Sequence, residues 1–131
     1  MQQLVPEGYL FTDHFRVDAT DAYWPAASLN FFEASKDYGE LVGSFRVLPM
    51  PEETLAAGLW VSSEHRRKGI GTQLVRNVIG RYGNHDIRLK VNPFEDKPVT
   101  LHALIRFYAG LGFLIDKSYK AAPVMMVRRA W

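Results

Sequence analysis

Seven residues, Arg66-Arg67-Lys68-Gly69-Ile70-Gly71-Thr72, join an apolar run, Leu55 to Val61, to an amphipathic stretch, Thr72 to Tyr82. The run is short and continuous, so it reads as a largely buried strand. The stretch repeats Leu74, Val75, Val78, Ile79 and Tyr82 at helical spacing, and Gly83 is placed to cap it. Asp86 to Val91 reads as the next strand. A strand-helix-strand crossover makes its two strands parallel neighbours. The joining turn is suited to an anion. The first amides of a helix lack intrahelical partners, and the helix dipole adds positive charge there. Two glycines admit a close approach of the backbone, and Arg66, Arg67 and Lys68 add full charges.

No G-x-x-x-x-G-K-[ST] string occurs, which excludes a Walker loop. Leu74 stands where a dinucleotide fingerprint needs its third glycine, which argues against a Rossmann turn. The spacing that fits is Arg66-x-x-Gly69-x-Gly71, and a second string lies downstream, Ile105-Arg106-Phe107-Tyr108-Ala109-Gly110-Leu111-Gly112-Phe113. The first resembles the R/Q-x-x-G-x-G/A signature of the GNAT superfamily of acyl-CoA-dependent N-acyltransferases. The second resembles that family's helix-to-strand motif, a tyrosine followed by Leu-Gly-Phe. The resemblance covers Glu40 to Phe113 well and the N-terminal quarter poorly.

The rest of the chain sets the frame. Its 131 residues are expected to form a single domain, residues 1–131, large enough for a core without staples. With no cysteine there is no disulfide, thiolate metal site or cysteine nucleophile, which suits a reducing cytoplasm. The N-terminus lacks the pattern of a secretory signal, and no apolar run approaches a membrane span. A net charge of +2 does not argue for nucleic acid; the positive charge clusters locally at Arg66 to Lys68 and at Arg128-Arg129. His14, His65, His85 and His102 show no metal-ligand spacing, and no serine-nucleophile elbow is present.

Further strands are expected at Tyr9 to Val17, Ser28 to Ala34, Leu41 to Leu48, Phe113 to Lys117 and Pro123 to Arg129. The second and third of these form a hairpin, and Pro49-Met50-Pro51 ends it. Leu101 to Gly110 reads as a second helix, with Thr100 as N-cap and Leu101, Leu104, Ile105 and Tyr108 on its apolar face. The order predicts an α/β fold with a mixed sheet. The resemblance sharpens this to a mostly antiparallel sheet, one splayed parallel pair and two main helices. Asp18 to Ala27 leaves about ten residues where the family carries lid helices, about the length of one mean helix before any loops. The lid is expected to be reduced, leaving an open groove that suits a protein or peptide acceptor better than an enclosed metabolite.

The resemblance implies acetyl transfer from acetyl-CoA to an amine. The backbone from Arg67 to Thr72, with Arg66, would hold the phosphates. The pantetheine arm would pair with the strand end at Leu59, Trp60 and Val61, across from Lys90 to Asn92. The Leu59 amide would hold the developing oxyanion, and Tyr108 would protonate the departing thiolate. No base stands out. Leu55 to Trp60 holds no carboxylate; Glu52 and Glu53 lie just before it and Glu64 and His65 just after it, Glu64 reads as a surface charge and His85 and His102 as solvated, so the acceptor is expected to lose its proton to water or through a water chain. Leu101 stands where the family favours an asparagine, and it inherits no role. Two further readings stay open: a degenerate module that binds CoA or a partner without turnover, and a small anion- or nucleic-acid-binding domain. Trp24, Phe31 and Trp131 are candidates for sealing a homodimer.

Overall fold

The computed structural model describes residues 8–21, 24–37, 39–91, 100–120 and 124–131. Among these residues seven strands and two α-helices follow one another as β1 (Tyr9–Val17), β2 (Ser28–Lys36), β3 (Glu40–Pro49), β4 (Glu53–Val61), α1 (Ile70–Tyr82), β5 (Asp86–Val91), α2 (Leu101–Ala109), β6 (Leu114–Ile115) and β7 (Val124–Arg128). One sheet holds all the strands in the order β1-β2-β3-β4-β5-β7-β6. Every neighbouring pair is antiparallel except β4 and β5. The mixed sheet with one parallel pair is therefore as the sequence predicts.

Several boundaries differ for local reasons. Helix α1 starts at Ile70, two residues before the expected Thr72, because Gly69 takes a left-handed conformation (φ 82°) and its carbonyl accepts the first helical bond from Gln73 N at 3.0 Å. Pro49 does not end β3; it pairs with Thr54, and the reversal closes by Met50 N donating to Glu53 O at 2.9 Å. Strand β6 is two residues long rather than five, since Asp116 turns away to accept from the Ser118 amide and hydroxyl at 3.0 and 2.6 Å. Leu101 is exposed rather than part of the buried helix face, because it opens α2 before the first turn meets the core.

In-register pairing sorts the side chains onto two faces. Asn30, Phe32 and Ala34 of β2 pair with Val47, Phe45 and Gly43 of β3, and all are buried. A Cβ built on Gly43 would lie 3.1 Å from both Ile70 and Leu74, and Asn30 donates to the Tyr82 hydroxyl at 2.7 Å. Helix α1 therefore covers this face. The register carries it on to Ala56, Leu89 and Met126, which join the same core as Tyr108 and Phe113. The second face presents Phe31, Arg46, Ala57 and Trp60, then Arg88 and Lys90. Between β1 and β2 the described residues form turns and no helix.

Candidate active site

Strands β4 and β5 stay in register only from Glu53↔Asp86 to Ala56↔Leu89, although β4 runs on to Val61 and β5 to Val91. Beyond that point β4 pairs with β3 alone and β5 with β7 alone. The parallel pair thus splays. At the point of splay β4 carries an extra residue. Ala57 opposes Arg46 and Trp60 opposes Ser44, so Gly58 and Leu59 together face Phe45. This is a β-bulge, which kinks the strand and frees backbone from the ladder. Gly58 has φ 71°, a left-handed conformation glycine adopts without a Cβ penalty. The guanidinium of Arg46 lies where a Cβ of residue 58 would be. Arg46 is fixed there by an ion pair with Asp21, whose side chain is only 1% exposed and also accepts from Trp24 N at 2.8 Å.

A cavity of about 740 Å³ opens at the splay. Leu104 and Tyr108 of α2 line it from the helix side, and Trp24, Arg46, Trp60, Arg88 and Lys90 from the other. Residues from both faces of a sheet can border one space only where its strands part. Leu59, Trp60 and Tyr108, chosen from the sequence, meet here. Val61 lies at the end of β4, where its carbonyl accepts from Arg66 Nε at 3.1 Å. Asn92 lies outside the described residues.

Tyr108 is 6% exposed. Burial pushes its phenol well above the ordinary tyrosine range, so the hydroxyl holds its proton at neutral pH. The Leu-Gly-Phe string fixes this residue. The Tyr108 carbonyl accepts from Leu111 N at 3.0 Å and from Phe113 N at 3.1 Å, which folds the Phe113 ring edge-on against Tyr108 at 5.7 Å. Phe107 packs on it at 5.1 Å. The core role of Tyr108 and its place on the cavity are thus not alternatives.

The turn before α1 is built outward. Gly69, Arg67 and Lys68 are exposed, and Arg67 takes φ 62°, unusual for a residue with a side chain. The amides of Ile70, Gly71 and Thr72 precede the first helical hydrogen bond. Arg66 folds back onto β4 and holds the turn to the strand that precedes it. A Cβ on Gly71 would meet Val61 and Phe107 at 3.6 and 3.7 Å, ordinary contact distances. The fold itself leaves room for a side chain there. Amides without intrahelical partners beside full positive charges fit a phosphate-bearing ligand.

Three features escaped sequence reasoning. An isolated glycine in a strand pattern signals a bulge, and Gly58 carried that signal. Arg46 with Asp21 carried none, because the pair joins segments far apart in the chain. Phe31, a candidate for sealing a homodimer, is 5% exposed, covered by the His14 ring at 5.8 Å and the Arg16 guanidinium at 4.0 Å. Trp24 borders the cavity, and Trp131 is 70% exposed.

A model of the Acetyltransferase (GNAT) family matches residues 2–113. No curated protein sequence matches the chain. Among solved structures, a protein of Klebsiella pneumoniae subsp. pneumoniae assigned as an acyl-CoA N-acyltransferase is similar at TM-score 0.71 and 17% identity, over 94% of this chain and 98% of that one. The PaiA N-acetyltransferase of Thermoplasma acidophilum, solved in complex with coenzyme A, is similar at TM-score 0.61 and 19% identity, over 77% of this chain and 60% of that one. The ribosomal-protein-S18-alanine N-acetyltransferase of Escherichia coli gives TM-score 0.60 at 17% identity, over 76% of this chain and 68% of that one. At such identities the likeness shows the fold. No helix among the described residues is long and apolar enough to cross a membrane.

Proposed function

The chain belongs to the acetyltransferase (GNAT) family, and on that premise we propose that it transfers an acetyl group from acetyl-CoA to a primary amine by direct attack. The observation that carries this reading is the splay. Gly58 and Leu59 leave the ladder where a cavity runs through to Tyr108. The turn at Arg67, Lys68, Gly69, Ile70, Gly71 and Thr72, held by Arg66, would take the diphosphate. The strand end at Leu59, Trp60 and Val61 would pair with the amide-bearing arm.

Bound acetyl-CoA would supply an activated acetyl group and a thiolate leaving group. The Leu59 amide would donate to the carbonyl oxygen as charge grows on it. The Tyr108 phenol, kept neutral by burial, would donate to the leaving sulfur. In balance, an ammonium acceptor loses one proton to water, its N–C bond forms and the C–S bond breaks. A second N–H proton ends on the sulfur by way of Tyr108. We favour an acceptor amine on a protein or peptide, because the described residues place no helix over the face opposite α1 and α2.

Calorimetry with acetyl-CoA and a thiol-release assay over a panel of amines and peptides test the reading. Saturable binding, lost in Gly71→Glu, and acceptor-dependent thiol release are expected. A wild-type chain that ignores millimolar acetyl-CoA ends it.

A further inference from the structure

We infer that Tyr9 is a positioning residue for the turn before α1 and acts on it through His65, so that the first strand of the sheet takes part in cofactor binding without touching the cofactor. This rests on the transfer reading above, in which that turn takes the diphosphate.

The turn has an unusual backbone. Arg67 is left-handed at φ 62° and Gly69 at φ 82°. Glycine takes that conformation freely, but a residue with a side chain keeps it only where its surroundings over-determine it. Downstream, helix α1 does so by packing Ile70 and Leu74 into the core. Upstream, the chain after β4 is pinned bond by bond. The Ser62 amide donates to Val42 O at 2.8 Å, the His65 amide to Ser62 O at 2.9 Å, and Arg66 Nε to Val61 O at 3.1 Å. These bonds tie one short turn, Ser63–His65, to β3 and β4. The His65 side chain reaches further. Its Nδ1 lies 2.7 Å from the Tyr9 hydroxyl, a hydrogen bond between residues 56 positions apart, and the two rings meet edge to face at 5.6 Å. Tyr9 belongs to β1, three strands along the sheet from β4.

Tyr9 is itself held. Its ring packs against the core, and it pairs with Lys36 of β2, whose ammonium lies over the ring at 4.7 Å. A Cβ on Gly8 would lie 2.6 Å from that ammonium, so glycine there lets Lys36 take this place. Lys36, Tyr9 and His65 thus form a chain of contacts from the β1–β2 pair to the residue before Arg66. Tyr9 and His65 are both half-buried. Their bond fixes where the Ser63–His65 turn sits relative to the sheet, and so where Arg66 and Arg67 begin. A diphosphate needs several donors within hydrogen-bond range at the same time. A turn already set in place binds it without first being ordered, and a turn free to shift loses that advantage.

The test compares the whole chain with Tyr9→Phe, His65→Leu, His65→Asn and the double variant Tyr9→Phe/His65→Leu. Asparagine brings a polar atom that can bond the Tyr9 hydroxyl, and leucine brings none. Affinity for CoA is read by calorimetry. The kcat/KM is read with two donors, acetyl-CoA and acetyl-pantetheine, which keeps the thioester and an amide arm but lacks the diphosphate. Tyr9→Phe and His65→Leu should each weaken CoA binding about fivefold, the fold-change of one neutral hydrogen bond. The double variant should lose no more than either alone, because the two residues act as one unit. His65→Asn should recover most of the affinity. The kcat/KM should fall by the same factor with acetyl-CoA and hold with acetyl-pantetheine, while kcat at saturating acetyl-CoA does not move. CoA affinity unmoved in both Tyr9→Phe and His65→Leu, or a loss that acetyl-pantetheine shares equally, overturns the inference and leaves the transfer reading standing. The expected pattern of CoA affinities without thiol release to any amine leaves the positioning role standing and removes the transfer reading instead.

Discussion

Tyr108 combines two demands that pull on the same atoms. Its ring fills core space between Phe107 and Phe113, and it borders the cavity at the splay. Burial makes the phenol a weaker acid but guarantees that it arrives protonated, which a donor requires. Tyr108→Phe keeps the ring and removes the proton. Its kcat should drop by about a hundredfold or more, the usual scale of general acid catalysis, while acetyl-CoA affinity measured by calorimetry stays within about twofold. Unchanged turnover would remove the donor role. The direction of the shift also fixes a pH signature. The unfolded chain ionises this tyrosine near pH 10 and the folded chain only above that. Its contribution to stability is therefore complete below about pH 10 and is lost as pH rises further. Denaturant titrations between pH 9 and 11 should show a shallower alkaline loss in Tyr108→Phe than in the parent chain.

At the scale of elements, two glycines make opposite predictions. Gly71 sits in the first turn of α1 with room for a Cβ. Gly71→Ala should raise stability by about 0.5–1 kcal/mol, since alanine suits a helix better. On the proposed site it should also weaken acetyl-CoA binding, because the added methyl group, set against Val61 and Phe107, crowds the turn that would take the diphosphate. Stability and affinity moving together would contradict the site. Gly58, by contrast, is needed by the fold. Alanine there takes a left-handed conformation costing about 1–2 kcal/mol and displaces Arg46 from its place by Asp21. A fall in Tm of about 3–10 °C is expected by calorimetry. These elements were legible to different degrees. Helix α1 and strand β5 announced themselves because their spacing is a local property, and the glycine-punctuated turn between strand and helix was legible as a turn for the same reason. The bulge was present as a lone glycine and went unread. Arg46, Asp21 and Trp24 were illegible in principle, since their meeting depends on where β3 and the β1–β2 connection lie in three dimensions.

At the scale of the molecule, the sheet divides the labour between its faces. The helix-covered face holds the core: Phe32, Phe45, Ala56, Leu89 and Met126 pack with Leu74 and Val78. The other face is left to the cavity, the cations and the two tryptophans. The fold class was readable because strand and helix order allows few topologies. The open face was inferred from a short connection, and its charge could not be read before the register showed which side chains share a side. The splay leaves this division incomplete in one respect. Where β4 and β5 part, backbone that would pair in a continuous sheet has no strand partner across the gap, so on the proposed function ligand binding should complete the sheet and stabilise the whole domain. A ligand present at about a hundred times its Kd adds about 2.7 kcal/mol to the folded state. Acetyl-CoA at that excess should raise Tm by about 5 °C or more, and Gly71→Glu should melt at the same temperature with and without it. An equal rise in that variant would mean that the ligand stabilises the chain from somewhere other than the turn before α1, and the link between diphosphate site and splay would be broken.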